Sequence, residues 1–347
     1  MNIAVLNTQT PFSTGGAEVL AEDLITSLRQ RGHKATLITV PFKWHPQQSL
    51  VDSILACKLI DINGINGVKI DKVIALRFPA WLIEHSDKAF WILHQHRSAY
   101  DLWETKYNDL ASMPDGQRIR DLIFGQDNDA ISTCRQVYTI SQNVSGRLLK
   151  FNNIDSGVLY PPPRLMEKFY HEEYGDYFFF PSRITPMKRQ ELVIEALAHC
   201  SPNVRVVFAG QADDHTYLNR LKQRAVELDV TENITWLGHI TDEDKLEHYA
   251  RCLMVIFPPY DEDYGYITPE AMLSSKGVIT LTDSGGALEF ITDDVNGSVV
   301  IPDANLLGEK LDRIWSDRSL ARLYGENAIE RIVGMDISWD RVIGSLL

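Results

Sequence analysis

Short apolar segments alternate with longer segments of helical periodicity along almost the whole chain. The apolar segments have the length of buried strands, and strands separated by helices form parallel sheets that helices cover. The sequence therefore predicts an α/β protein. The predicted strands are 3–6, 35–40, 72–76, 89–93, 137–140, 177–180, 204–209, 234–237, 253–257 and 278–281. The predicted helices are 17–31, 192–199, 217–228, 244–251, 269–274, 306–315 and 320–333.

A stretch of three prolines, Pro161–Pro163, interrupts this alternation near the middle of the chain. Consecutive prolines stop helices and stiffen linkers, and 347 residues are too many for one compact core. We therefore predict a first domain at 1–163, a second at 164–330 and a helical tail at 331–347. Two doubly wound domains that face each other would enclose a cleft lined by the carboxyl ends of their strands, the usual ligand site of such sheets.

The charge balance limits the classes of partner. The net charge is −13, from 34 basic and 47 acidic residues, which argues against a nucleic-acid-binding protein because such a domain carries a basic face. Residues 1–163 hold 16 basic and 16 acidic residues, so the excess negative charge lies in the remainder. A peripheral contact between the neutral first half and an anionic membrane stays open.

The cysteines and apolar runs bear on location. The four cysteines follow neither a zinc-binding nor a disulfide spacing. No run reaches the 18 apolar residues of a membrane helix, and the first residues lack the features of a signal peptide. We expect a cytoplasmic protein with reduced thiols, with membrane association left open.

The segment from Glu262 to Glu270 is the strongest functional signal. It follows a predicted strand, contains a Tyr-Gly-Tyr turn, and has Pro269 where a helix would begin. The free N–H groups at a helix start favour phosphate. Glu262 could accept hydrogen bonds from sugar hydroxyls, and Glu270, one residue into the helix, could bind a ribose diol. Acidic loops are common at strand ends, so two glutamates alone would carry little weight.

Two further motifs raise the weight of that segment. Arg183 and Lys188 follow the first strand of the second half, and together they suit a diphosphate because arginine gives a planar fork and lysine a point charge. A solvated basic loop is the alternative, but this half is otherwise strongly acidic. Gly285, Gly286 and Glu289 repeat the pattern of strand, glycine turn and helix.

Weaker signals lie elsewhere in the chain. Gly15 and Gly16 join the first strand to the first helix, as either a ligand loop or a tight turn that needs positive φ. Gly210 and Gly238 follow strands and would shape the wall around a nucleotide base. Histidines and an arginine follow the strand at 89–93, where we favour contact with a sugar over metal binding; they are His94, His96 and Arg97.

Taken together, these motifs resemble the retaining glycosyltransferases of family four, which have the GT-B fold of two Rossmann-like domains facing a cleft. The two glutamates separated by seven residues, the Arg–Lys pair, the glycine turn before a Glu, the amino-terminal Gly-Gly loop and a strand-end histidine all have counterparts there. His94 fits the last role better than His96. The family pattern has Phe-Gly inside the acidic motif where this chain has Tyr264-Gly265.

The resemblance implies a retaining, metal-independent sugar transferase (EC 2.4). It would move a sugar from a UDP- or GDP-linked donor to a glycan or lipid-linked acceptor, in surface polysaccharide or glycoconjugate synthesis, with no cofactor and no metal. It also implies that a carboxyl-terminal helix containing Trp339 crosses back to the first domain. The residues nearest the chemistry would be His94, Arg183, Lys188 and Glu262. The donor-binding residues would be Gly15, Gly16, Gly210, Gly238, Tyr264, Gly265, Ile267, Thr268, Glu270, Gly285, Gly286 and Glu289.

In this scheme the acceptor hydroxyl attacks from the face of the leaving group and the departing phosphate takes the proton. Glu262 binds hydroxyls and is not the nucleophile. His96 and Arg97 are candidate acceptor contacts. Two alternatives remain: a nucleotide-sugar epimerase of the same fold, and a non-catalytic nucleotide-sugar-binding subunit, which we would expect to lack a charge in the donor site.

Overall fold

A computed structural model of the protein describes residues 1–12, 15–64 and 67–347. The chain forms two compact units, one of Met1–Arg164 with Ile337–Leu347 and the other of Leu165–Asp336. No helix among the described residues is both long and apolar enough to cross a membrane. The four cysteines are free thiols.

The first unit is built on a six-stranded parallel sheet with the strand order β2-β1-β3-β4-β5-β6. The central strands are buried along their length, as strands with helices on both faces must be. The elements are β1 (Asn2–Gln9), α1 (Gly16–Gln30), β2 (Lys34–Pro41), α2 (Gln48–Leu59), β3 (Lys72–Arg77), β4 (Lys88–His94), α3 (Gly116–Ser132), β5 (Gln136–Thr139), α4 (Gln142–Asn152) and β6 (Gly157–Val158).

The second unit has a parallel sheet of its own, with the order β12-β11-β10-β7-β8-β9. Its elements are β7 (Phe178–Pro181), α5 (Gln190–Leu197), β8 (Val206–Ala209), α6 (His215–Glu227), β9 (Ile234–Gly238), α7 (Asp242–Arg251), β10 (Val255–Ile256), α8 (Ile267–Leu273), β11 (Val278–Leu281), β12 (Gly297–Val300), α9 (Ala304–Ser316) and α10 (Arg318–Gly334). The predicted α/β class with two Rossmann-like domains is thereby confirmed.

The strand order places a switch point in each sheet. In the first sheet the chain runs outward from β1 to β2 and then continues on the other side of β1 with β3. In the second sheet β7 leads to β8 and β9, and β10 then lies on the other side of β7. Loops that leave two neighbouring strands in opposite directions open a crevice between them, where ligands of such sheets bind.

The last helix, α11 (Trp339–Leu346), belongs to the first unit. The ring of Trp339 meets the buried ring of Trp91 on β4 edge to face, with 6.1 Å between the centroids. Val342, Ile343 and Leu346 are buried, so α11 presents an apolar face to this unit.

The structure also contains elements that the periodicity did not predict. They are the helices α2, α3 and α4 and the short strands β6 and β12. The predicted start of α8 was wrong: the helix begins at Ile267, so Pro269 is its third residue and Glu270 its fourth.

Candidate functional site

The loop after β7, residues 182–189 and here called the basic loop, carries a lysine that is paired with the loop after β10, residues 257–266 and here called the acidic loop. Lys188 ends a short 3-10 turn, Pro186–Lys188, and its ammonium forms an ion pair with the carboxylate of Glu262. The same ammonium lies 5.2 Å from the centroid of the Phe257 ring. Both charged side chains are largely shielded, with 16% and 22% of their surfaces exposed. Shielding strengthens the electrostatic interaction of such a pair with each other and with a bound anion.

Arg183 is held differently from Lys188. Its side chain is 56% exposed and donates to Asp213, in the loop after β8, at 2.9 Å. Arg183 and Lys188 thus lie on one loop but have separate carboxylate partners. Gln190, fully buried at the start of α5, donates to the carbonyl of Arg183 at 2.9 Å and fixes the course of this loop.

The acidic loop after β10 lies against the loop after β11. The backbone N–H of Glu262 donates to the carbonyl of Ser284 at 3.2 Å, and the N–H of Gly286 donates to the carbonyl of Glu262 at 2.7 Å. These bonds extend the parallel pairing of the sheet beyond its strands, with Glu262 opposite Gly285. The sequence prediction that the acidic motif and the glycine turn belong to one set therefore has a structural basis.

Glycine is required at several of these positions. Gly265 and Gly285 have φ of +81° and +61°, a conformation that residues with a Cβ rarely adopt. At Gly286 a Cβ would lie 2.5 Å from the carbonyl oxygen of Asp263. At Gly210, where φ is +141°, a Cβ would lie 2.0 Å from the carbonyl oxygen of Ser182. Gly238 has a φ of +68°, and its carbonyl accepts the N–H of Gly210 at 2.7 Å.

The second glutamate of the motif is held by two side chains of α7. Glu270 is buried, and its two carboxylate oxygens accept from Lys245 at 3.1 Å and from the hydroxyl of Tyr249 at 2.8 Å. Burial, together with the adjacent carboxylate, raises the pKa of Tyr249 well above its usual range, so its hydroxyl keeps its proton. Sequence reasoning missed Lys245 and Tyr249, although their spacing of four residues places them on one face of a helix.

The remaining residues of the acidic motif contribute to its packing. Tyr264 is buried, and its ring lies edge to face against Tyr266 and Phe290, at 4.9 and 5.4 Å. Thr268 is buried in the first turn of α8, and its hydroxyl has no hydrogen-bond partner among the described residues. Ile267 begins α8, and Glu289 ends the short turn that starts at Gly286.

In the first unit, a linked set of polar groups lies at the switch point between β1 and β3. Arg77, the last residue of β3, forms an ion pair with Glu18 of α1 at 2.9 Å. Glu18 also accepts the N–H of Gly15 at 2.8 Å. Gly15 has an extended backbone, and Gly16 is the first residue of α1. Neither glycine has a positive φ, so the explanation of Gly15 and Gly16 as a tight turn that needs positive φ was wrong. Thr14 of the same motif lies outside the described residues.

The two histidines at the end of β4 and just after it differ in their surroundings. His94 is the last residue of β4, lies opposite Arg77 in register, and has its Nδ1 2.7 Å from the carbonyl oxygen of Gln95. His96 packs against the rings of Phe42 and Phe78, with centroids 6.0 and 5.6 Å away. Burial lowers the pKa of His96 to about 4, so its imidazole is neutral at pH 7.

Arg97, a candidate acceptor contact, is bound to a neighbouring carboxylate. Its guanidinium donates twice to Asp101, at 2.9 and 2.7 Å, and Arg147 of α4 lies 3.7 Å from the same carboxylate. Across residues 1–12, 15–64 and 67–347, no three His, Cys, Asp or Glu side chains are grouped so that they could hold a metal ion.

Comparison with known proteins identifies similar chains. Residues 163–331 match the family model of glycosyl transferases group 1. An uncharacterized glycosyltransferase of Methanocaldococcus jannaschii is 24% identical over an alignment of 392 residues, and the alignment covers 99% of this chain and 96% of that protein. A D-inositol 3-phosphate glycosyltransferase of Mycolicibacterium smegmatis is 29% identical over 175 residues, but the match covers only 48% of this chain and 38% of that protein.

A solved structure shares the fold over the full length. The HepE protein of Anabaena, crystallised in complex with UDP-glucose, superposes with a TM-score of 0.71 at 18% sequence identity, covering 99% of this chain and 100% of that one. At this identity the likeness shows the fold, which is GT-B.

Proposed function

Because the chain belongs to the glycosyl transferases group 1 family through residues 163–331, we propose that it transfers a sugar from a UDP- or GDP-linked donor with retention and without a metal ion. The observation that carries this proposal is the shielded pair of Lys188 and Glu262 at the switch point of the second sheet. Two opposite charges there match the two parts of such a donor, an anionic diphosphate and a sugar rich in hydroxyl groups.

In this proposal the basic loop supplies the charge that a metal ion would otherwise provide. Negative charge builds on the diphosphate as the glycosidic bond breaks, and a fixed cation stabilises it most in the transition state. Lys188 serves as the shielded cation and Arg183 as the exposed one. Glu262 accepts hydrogen bonds from sugar hydroxyls. The backbone bonds of Glu262 to Ser284 and Gly286 support this role because they fix the backbone that carries the carboxylate before the donor arrives.

Glu270 is proposed to bind the ribose diol. Each of its carboxylate oxygens already accepts one hydrogen bond from α7, and a carboxylate oxygen has a second lone pair for a ribose hydroxyl. A carboxylate with fixed orientation loses little entropy when a ligand binds. Lys245 and Tyr249 therefore support the assignment of Glu270 even though neither needs to touch the donor.

The remaining features of the proposal rest on the family resemblance. The acceptor hydroxyl attacks the anomeric carbon from the face of the leaving group, and the departing phosphate accepts its proton. His94 is proposed to contact the donor sugar, and a glycan or lipid-linked molecule to be the acceptor. The name of the Mycolicibacterium smegmatis relative makes inositol phosphate a second acceptor to test.

The test is a turnover measurement with purified protein. UDP-glucose, GDP-mannose and ADP-glucose are incubated with lipid-linked glycan or with inositol phosphate, with and without EDTA, and release of the nucleoside diphosphate is followed. The proposal expects acceptor-dependent release that EDTA leaves unchanged, with the anomeric configuration of the donor kept in the product. Conversion of the donor sugar without acceptor would indicate an epimerase, and binding without turnover a non-catalytic subunit.

A further inference from the structure

Arg189, the residue after Lys188, has an unusual backbone conformation. Its φ and ψ are 58° and 39°, in the left-handed region that a side chain with a Cβ disfavours. Its N–H donates to the carbonyl of Pro186 at 3.2 Å, and α5 begins at the next residue. A residue other than glycine at such a turn requires compensation from the surrounding structure.

The side chain of Arg189 provides that compensation. Its guanidinium donates two parallel hydrogen bonds to the two oxygens of Asp283, at 2.7 and 2.6 Å. It also lies 5.1 Å from the centroid of the Tyr260 ring. Only 15% of the arginine side chain is exposed. A shielded, bidentate and stacked arginine fixes its neighbours in one geometry.

These contacts join the three loops that form the proposed donor site. Arg189 belongs to the basic loop, Tyr260 to the acidic loop, and Asp283 to the segment just before the glycine turn. Backbone bonds run alongside: the N–H of Tyr260 donates to the carbonyl of Met187 at 2.8 Å, and the N–H of Asp261 donates to the carbonyl of Asp283 at 2.8 Å. Lys188 lies between Met187, which is bonded to the acidic loop, and Arg189, which contacts both other loops.

We propose that the Arg189–Asp283 pair is a positioning device that sets the ammonium of Lys188 where the donor diphosphate binds. The inference rests on the proposed function, because it takes Lys188 as the diphosphate contact. Arg189 acts through Lys188 and is not itself a catalytic residue. Without the pair, the loop around Lys188 would still fold, but the lysine side chain would sample positions away from the diphosphate.

Arg189→Gly keeps the left-handed turn without strain and removes the side-chain contacts, but it also gives the backbone more freedom. The matched control is Arg220→Ala. Arg220 also has a carboxylate partner, Glu191 at 3.1 Å, and an aromatic ring, Tyr217 at 5.0 Å, but it is an exposed residue on α6. Asp283→Asn tests the other side of the pair.

Affinity is measured calorimetrically for UDP, GDP and ADP and for the matching monophosphates. The inference expects Arg189→Gly to weaken binding of the preferred diphosphate by about tenfold or more, as for a misplaced catalytic group, with little change for the monophosphate. Asp283→Asn should act in the same direction, the double variant should lose no more than Arg189→Gly, and Arg220→Ala should bind as the wild type does. An equal loss of affinity for the diphosphate and the monophosphate in Arg189→Gly would overturn the inference. So would an unchanged affinity in Arg189→Gly when Lys188→Ala loses affinity.

Hydrogen exchange separates this inference from the proposed function. If the wild type binds none of these nucleotides, the proposed function fails. The amide exchange of residues 183–190 then decides between a fixed and an unfixed loop. Faster exchange there in Asp283→Asn, which leaves the sequence of residues 183–190 unchanged, but not in Arg220→Ala, would support the positioning role, and unchanged exchange would contradict it.

Discussion

Lys188 and Glu262 lie 74 residues apart in the chain, yet their side chains form one ion pair in the second unit. The pair joins the loops that leave β7 and β10. These are the two neighbouring strands at which the strand order of the second sheet reverses. Shielding the two charges from water costs free energy. The pair is therefore a candidate for a functional role rather than a purely stabilising one.

Lys188→Ala and Glu262→Ala are each expected to reduce turnover. A contact that stabilises transition-state charge is worth about 2.7–4 kcal/mol, so kcat should fall by a factor on the order of a hundred to a thousand. The rate of nucleoside diphosphate release measures this, and urea unfolding shows whether the variants remain folded. Glu191→Ala, which removes an exposed carboxylate of α5, is the control and should be fully active. Normal activity in both site variants would refute the site assignment.

Lys245→Met is expected to destabilise the second unit through Glu270. Among the described residues, removing the ammonium leaves a buried carboxylate whose side-chain donor is the Tyr249 hydroxyl, which should cost about 1–3 kcal/mol at pH 7. Chemical denaturation checks this, with Lys222→Met on the exposed side of α6 as the control. In a Glu270→Gln background the same Lys245→Met change should cost much less. An equal cost in both backgrounds would mean that Lys245 does not act through Glu270.

Asp127 is expected to make the stability of the first unit depend on pH. It is fully buried on α3 and accepts from Trp81 and Tyr100, both at 2.8 Å, and neither donor carries a positive charge. Burial raises the pKa of Asp127 from 3.8 to about 7. Between these values the folded state holds a proton that the unfolded state has lost, so the free energy of unfolding should fall as pH rises, by up to about 1.4 kcal/mol per pH unit.

The comparison of Asp127→Asn with Asp129→Asn tests this dependence. The amide that replaces the buried carboxyl group in Asp127→Asn is neutral at every pH, whereas Asp129 is exposed on the same helix and serves as the control. Urea unfolding between pH 4 and pH 7 should show a flatter profile for Asp127→Asn and an unchanged one for Asp129→Asn. A wild-type stability that rises through this range, with no difference in Asp127→Asn, would contradict the prediction.

Trp339→Ala is expected to destabilise the first unit, because α11 packs on β4 through the contact of Trp339 with Trp91. Truncating a partly buried tryptophan should cost about 2–4 kcal/mol, somewhat below the range for fully buried rings. The denaturation midpoint measures the loss. Val333→Ala, an exposed apolar residue near the end of α10, is the control and should change little. An unchanged midpoint for Trp339→Ala would mean that α11 adds nothing to this unit.

The parallel sheets could be predicted because their central strands are apolar along most of their length, a pattern with few alternatives. The helices α3 and α4 could not, because their buried faces include polar residues. Asp127 lies on the buried face of α3 and Arg147 on that of α4, and each interrupts the apolar periodicity. Asp127 accepts hydrogen bonds from Trp81 and Tyr100, and Arg147 forms an ion pair with Asp101. These partners lie far away in the chain, so local patterns do not reveal them.

In the candidate site, too, some residues could be predicted from the sequence and others could not. Glu262, Glu270 and the glycine turn are visible in the sequence because the loop geometry needs particular residue types at fixed spacing. The partners of Glu270 are visible only as two residues four apart on α7, a weak signal. The pairing of Arg189 with Asp283 depends on a left-handed backbone conformation at Arg189 and on a contact between residues 94 positions apart. Neither can be recognised from the local sequence.

The most direct test of the account is a thermal-shift titration with UDP-, GDP- and ADP-sugars, with and without EDTA, on the wild type and on Lys188→Ala. A ligand that binds only the folded state raises the melting temperature. We expect a rise with one nucleotide sugar, unaffected by EDTA and much smaller in Lys188→Ala. No rise with any of the donors, or a rise that EDTA abolishes, would contradict a metal-independent donor site built on Lys188 and Glu262.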